Sequence, residues 1–175
     1  FIFFDMHLNN EKLFFIDDSK KLSLKKRIIA IKEINKLKFQ NKIKFSLGMA
    51  SVIEIDKYNI LEATKISMCR AVRKLNQSPT QLIIDGKIDL QLEKYPSRGI
   101  IKGDQKSYSI AAASIIAKIH RDRYMNFLSN KHPIYDWSSN AGYGTKKHIK
   151  EIHNKGITKH HRKSFEPIKS LIHNK

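Results

Sequence analysis

The sequence predicts an α/β domain, and three observations carry that reading. Helix-period apolar patterns alternate with short strand-like runs along the chain. Two of the runs, Leu82-Ile83-Ile84 and Ile100-Ile101, are continuously apolar, the form of strands buried in a sheet covered on two faces. Each ends in a polar turn, Asp85-Gly86 and Lys102-Gly103-Asp104, and a long helical stretch from Ser109 to about Phe127 follows. The 175 residues fit one domain, residues 1–175, of a size that buries roughly two-thirds of the surface its unfolded chain exposes.

Taken in order, Phe1 to Phe4 and Lys12 to Ile16 read as two strands of a hairpin around the polar turn His7 to Asn10. The chain opens directly in that apolar run without an initiator methionine, as though it started within a strand. Ser23 is placed to cap a helix with Leu24, Ile28, Ile31 and Leu37 inward. Ile43, Phe45, Leu47 and Met49 then alternate with Lys44, Ser46 and Gly48, as in a half-buried strand. Asn59 with Glu62 three residues on opens a helix whose inner face is Leu61, Thr64, Met68, Ala71, Val72 and Leu75, with Pro79 at its exit. After the two buried strands and the long helix, Thr145 to Lys155 is a short helix stopped by Gly156, and Pro167 to Ile172 a last one.

Lysine and arginine number 34 against 16 acidic residues, a net charge of +18, which points to a polyanionic partner, nucleic acid first. A genome biased toward lysine, asparagine and isoleucine yields a similar excess on solvent-facing positions, so charge alone does not decide. The single cysteine, Cys69, excludes an internal disulfide framework and a cysteine-based metal site. No apolar run approaches the ~18 residues of a membrane span. Phe1 to Phe4 is too short, and lacks the basic leader, for a signal peptide.

Asp85 directly follows three large apolar residues, so its carboxylate falls at the carboxyl end of a central strand, the edge at which open α/β sheets bind ligands. Asp-Gly is also a common turn pair, and a turn alone would account for it. Asp122 falls within about 60° of Ala111, Ile115, Ile119 and Met125 on its helix at 100° per residue, on the apolar arc. A carboxylate facing a core must be paired, hydrogen-bonded, protonated or metal-bound. Lys118, one turn back, is the ion-pair alternative. Carboxylates from a strand end and a helix, with no cysteine site, suit a hard cation such as Mg²⁺ or Mn²⁺, although two are too few for a pair of ions.

His148, His153, His160 and His161 cluster in sequence, but their spacings do not give two zinc ligands one helical turn apart. The basic runs Lys20-Lys21 and Arg162-Lys163 read either as solvated surface or as phosphate contacts. Tyr143, between Gly142 and Gly144, is either a packing tyrosine in a turn or a ring offered to a sugar or base.

The order and spacing of several segments resemble type 2 ribonuclease H. They are Ile83-Ile84-Asp85-Gly86, Lys102-Gly103-Asp104-Gln105-Lys106-Ser107, and the helix from Ser109-Ile110-Ala111-Ala112-Ala113-Ser114 to Arg121-Asp122-Arg123-Tyr124. Asp18-Ser19-Lys20-Lys21, Glu54-Ile55-Asp56, Gly142-Tyr143-Gly144-Thr145-Lys146 with His148, and His161-Arg162-Lys163-Ser164-Phe165 extend the resemblance over nearly the whole chain.

The resemblance implies a ribonuclease H-like mixed sheet flanked by helices, with a C-terminal helical segment. It also implies four carboxylates around two Mg²⁺ or Mn²⁺ ions, two of which map onto Asp85 and Asp122. The other two would be an adjacent Asp-Glu heading an Asp-Glu-Ala-Gly-Arg-Gly segment on the first strand, and the chain resembles the family from just after that segment. Tyr143 would stack on the sugar following the ribonucleotide, using the 2′-hydroxyl as the signal. Lys20, Lys21, Lys106 and Arg162 would contact phosphates, and Ala141 stands where related sequences often carry lysine.

The implied activity is hydrolysis 5′ of ribonucleotides in RNA/DNA hybrids or duplex DNA, the chemistry of ribonucleotide excision and DNA repair, by a cytoplasmic monomer. Two other readings stand beside it. One is a nucleic-acid-binding remnant without catalysis, favoured by the unmatched acidic pair. The other is a structural protein on ribosomal RNA, which the carboxylate on an apolar helix face argues against.

Overall fold

A computed structural model of the chain describes residues 2–4, 22–88, 90, 92 and 95–173. The strand expected over residues 12–16, its hairpin, and Lys20 and Lys21 lie outside the described residues. The chain divides into two compact units, Phe1–Met49 with Lys65–Ile119, and Ala50–Thr64 with His120–Lys175.

In the first unit, strand β1 (Ile2–Phe4) pairs antiparallel with β2 (Ile43–Phe45), Ile2 opposite Phe45. Between them runs α1 (Leu24–Phe39), whose N-terminus is capped as expected: the Ser23 hydroxyl accepts from the Lys26 amide at 3.3 Å. Its inner stripe is Ala30, Ile31, Ile34 and Leu37, while Leu24 and Ile28, expected inward, are exposed at 62% and 44%. The stripe centres on Ile34, and Ile28 lies about 120° around the helix from it. The stripe packs with Ala111, Ala112, Ile115, Ile116 and Ile119 of α3 (Tyr108–Lys131).

The alternation from Ile43 to Met49 is strand only to Phe45, and Met49 is exposed. Beyond Phe45 the backbone leaves its ladder for helix α2 (Val52–Arg73): the Ser46 hydroxyl donates to the Ala71 carbonyl, and Gly48 lies so near the Ser67 carbonyl that no Cβ would fit. Helix α2 is broken at Asn59, φ 70°, whose side-chain oxygen accepts from the Leu61 and Glu62 amides at 2.9 and 3.1 Å. Asn59 therefore caps the second segment, as the sequence predicts, but Leu61 faces solvent and the helix ends at Arg73, ahead of Pro79. The helical turns before Asn59 are an addition. They begin at a reciprocal cap in which Ser51 and Glu54 exchange hydrogen bonds.

Strand β3 (Leu82–Asp85) runs parallel to β4 (Ser97–Ile100), Leu82 opposite Ser97 and Asp85 opposite Ile100. Leu82 and Ile84 are buried with Val72 and Leu90, and Met68 and Cys69 pack against them. The second buried strand was expected at Ile100-Ile101. The strand instead spans Ser97–Ile100, none of its residues is fully buried, and Ile101 is 55% exposed. Leu82 and Ile84 of β3 belong to the buried cluster, and no residue of β4 does.

The second unit holds the end of α3, α4 (Trp137–Asn140), α5 (Lys146–Lys155) and α6 (Ile168–His173), the expected C-terminal helical segment. Thr145, expected as the first helical residue, instead caps α5 by accepting from the His148 amide, and Gly156 at φ 80° ends it as predicted. Met125, Leu128, Tyr135, Trp137, Ile152 and Ile168 form its core. No helix among the described residues is long and apolar enough to cross a membrane.

Candidate functional site

In the first unit the site is built around Asp85. The alternation of β3 buries Leu82 and Ile84 and leaves Asp85 exposed at the strand's carboxyl end. There the Gly86 amide still donates to the Ile100 carbonyl at 2.9 Å, so the ladder with β4 holds the turn. The Asp85 Oδ1 accepts from the Gly103 amide at 2.8 Å, its one polar contact among the described residues. A Cβ at Gly103 would stand 2.6 Å from Ile110 Cδ1, so glycine spares the buried Ile110 side chain, while at 3.5 Å from Asp85 Cα it would make only ordinary contact. The chain enters the turn through Lys102 at φ 54°, a left-handed residue. The carboxylate is thus oriented through one oxygen while the other is left as an acceptor. Lys106 is exposed just past this turn, its amide donating to the Gly103 carbonyl at 3.0 Å.

In the second unit Asp122 is half-buried rather than core-facing, although Met125 beside it is buried. It has a polar or charged partner, as does Lys118 in the first unit. Asp122 sits at the margin of the apolar arc, where a carboxylate keeps part of its hydration.

Tyr143 is held by its main chain and free at its ring. Its amide donates to the Asn140 carbonyl at 2.8 Å, and its carbonyl accepts from the Thr145 amide at 2.9 Å and meets His148 Nδ1 at 2.9 Å. Asn140 is buried and anchored, its side-chain amide donating to the Tyr135 carbonyl while its oxygen accepts from the Gly142 amide. Ala141 and Gly142 take left-handed φ values of 50° and 83°. Tyr143 is 73% exposed.

Arg162 lies half-buried over the Phe165 ring, 3.8 Å from the centroid. Its loop is tied down by Asp56, whose carboxylate accepts from the Lys163 amide at 3.0 Å, the Ser164 amide at 2.9 Å and the Ser164 hydroxyl at 2.6 Å. Burial raises the Asp56 pKa, but the hydrogen bonds from Ser164 and Lys163 outweigh it and leave the group below 3.8. Burial first, and then the neighbouring Arg121 cation, lower the Arg162 pKa, with Tyr143 and Asp56 opposing. Arg121 donates to the Ala141 carbonyl at 3.2 Å. Arg162, Arg121, Tyr143 and Asp56 are therefore electrostatic neighbours in one unit.

Asp56 and Arg121 are the residues sequence reasoning passed over as site components. Asp56 stood within a quoted segment, but its partners are more than a hundred residues away, and no local signal reaches that far. Among the described residues, no three of His, Cys, Asp and Glu group as a metal cluster.

Comparison with known proteins gives a consistent result. A family model described as ribonuclease HII matches residues 8–168. The chain is 50% identical over 156 residues to a ribonuclease HII from Wolbachia pipientis subsp. Culex pipiens, covering 89% of this chain and 76% of that protein. It is 48% identical over 158 residues to one from Staphylococcus epidermidis, covering 90% of this chain and 59% of the relative. The ribonuclease H2 from Pyrococcus horikoshii OT3 superposes with a TM-score of 0.68 at 20% identity, over 94% of this chain and 82% of that one, a likeness of fold.

Proposed function

The chain belongs to the ribonuclease HII family, and on that premise we propose that the whole protein is an endonuclease that hydrolyses the phosphodiester 5′ of ribonucleotides in RNA/DNA hybrids or duplex DNA. The observation that carries the reading is Asp85. Its carboxylate stands exposed at the carboxyl end of β3, oriented by the Gly103 amide. An oriented carboxylate with an oxygen to spare suits Mg²⁺ or Mn²⁺, which take oxygen ligands.

Asp122, half-buried in the second unit, is also a metal-ligand candidate in this reading, by its motif. Bound metal would supply an activated water and a counter-charge for the leaving oxygen. The described residues group no three metal-ligating side chains, and two carboxylates do not fit a pair of ions, so the assignment rests at these two ligand roles.

Substrate reading falls to Tyr143, whose exposed ring is offered from a fixed main chain, and to cations for phosphate: Arg162, Lys106, and Lys20 and Lys21 outside the described residues. Arg121, donating to the Ala141 carbonyl, supplies positive charge where related sequences often carry lysine. We place the enzyme in the cytoplasm, acting as a monomer in ribonucleotide excision. The test is incubation of full-length protein with an end-labelled duplex carrying one ribonucleotide. Incision 5′ of it, leaving 3′-hydroxyl and 5′-phosphate ends, is expected; no incision with either metal would reject the reading.

A further inference from the structure

Beneath the Tyr143 turn the second unit buries two histidines against each other, His148 at 4% and His161 at 5% exposure. Their Nε2 atoms are 3.3 Å apart. Burying two imidazoles in contact is costly unless each ring nitrogen has a suitable partner. Here the partners fix every proton, because each end of the chain of hydrogen bonds can play only one role.

The Thr158 amide is a donor only, and it points at His161 Nδ1 at 2.9 Å, with the Thr158 hydroxyl also within 3.1 Å. His161 therefore accepts at Nδ1 and carries its proton on Nε2, directed at His148. The Trp137 indole N–H, also a donor only, reaches His148 Nε2 at 3.1 Å. His148 Nε2 thus accepts from two donors, and its proton must be on Nδ1. That N–H faces the Tyr143 carbonyl, an acceptor only, at 2.9 Å. A second proton on His161, at Nδ1, would stand against the Thr158 amide N–H. Burial first, and then the neighbouring His148, lower the His161 pKa to about 4.

The network ends on the main chain of the residue whose ring is offered to substrate. We propose that His148 is a positioning residue for Tyr143, donating from Nδ1 to its carbonyl, and that His161 and Trp137 set the tautomer that makes this donation possible. The proposal rests on the substrate role of Tyr143. The Thr145 amide alone would hold that carbonyl from one direction; a second donor, on a ring packed against Trp137 and Tyr135 with centroids at 6.2 and 5.9 Å, fixes it in two. The exposed phenol then starts from a rigid base, and less ordering remains when it meets a sugar.

The test has a spectroscopic arm and a binding arm, both on full-length protein. Long-range proton–nitrogen correlation at pH 7 should show His148 protonated on Nδ1 and His161 on Nε2. In the binding arm, His148→Phe fills the space without a donor, whereas His148→Asn retains an amide N–H near the Nδ1 position. The Phe variant should lose about tenfold in preference for a single-ribonucleotide duplex over the same all-DNA duplex, with little change in affinity for the latter. The Asn variant should recover most of that loss. A His148 protonated on Nε2, a folded Phe variant with full preference, or an Asn variant no better than Phe would each overturn the proposal. If the Phe variant does not fold, the tautomers and the Asn variant decide. Tyr143→Ala is measured in parallel: full preference in that variant rejects the substrate role of Tyr143, while the tautomers and the Tyr143 amide resonance in His148→Asn still decide the positioning.

Discussion

The amide of Gly103 donates to Asp85 Oδ1 at 2.8 Å, so a residue from the turn after β4 fixes the carboxylate at the end of β3. This explains why glycine stands between Lys102 and Asp104: a Cβ would press on the buried Ile110 side chain at 2.6 Å. Gly103→Ala should therefore cost ~1 kcal/mol or more through overpacking. It should reduce incision beyond what that loss of folded protein explains, because the carboxylate is displaced. Urea unfolding beside incision rates checks this; unchanged incision would mean that the Asp85 orientation is unimportant.

Tyr143→Ala should weaken incision at a single ribonucleotide far more than binding to plain duplex, since the proposed phosphate contacts are made by other side chains. Matched oligonucleotides give both numbers. Equal losses would make Tyr143 a support for the local fold.

Arg162→Ala should lower duplex affinity alike for all sequences and reduce the slope of log K against log salt by about 0.9, one phosphate contact. Asp56→Ala, which releases the 162–165 loop, should give a smaller loss in the same direction. Salt titrations by fluorescence anisotropy measure both, and an unchanged slope in Arg162→Ala would remove it from the phosphate contacts.

His161 predicts an acid limit to stability. In the fold its pKa is lowered from 6.5 to about 4, chiefly by burial, with the neighbouring His148, His132 and His160 lowering it further. Between those values the unfolded chain takes up a proton that the folded chain refuses. Stability is thus intact above about pH 6.5 and falls as pH drops toward 4, by up to roughly 3 kcal/mol. His161→Gln should flatten this part of the profile. Parallel melting curves for the two proteins between pH 7 and 4.5 would contradict it.

The α/β class, the caps at Ser23 and Asn59 and the stop at Gly156 were legible because each is a local device, settled within a few residues. The cap pairing Ser51 with Glu54 was equally local and was overlooked, which hid the helical turns before Asn59. The errors lie where neighbours distant in sequence decide. Met49 follows the strand period, yet the backbone has already turned toward α2, and Ile101 has strand composition yet lies past the end of β4, exposed. In the site, Asp85 and Tyr143 could be singled out from flanking residues. The Asp56 bonds to Ser164 and the His148–His161 contact join segments that no periodicity connects.

The most direct test of the whole account is the rate at which full-length protein incises a duplex with a single ribonucleotide in Mg²⁺ or Mn²⁺, compared with Asp85→Asn. The substitution keeps an oxygen for the Gly103 amide and removes the charge, so fold and duplex binding should persist while incision falls roughly a hundredfold or more. Incision by Asp85→Asn at the rate of the unsubstituted protein would contradict the account.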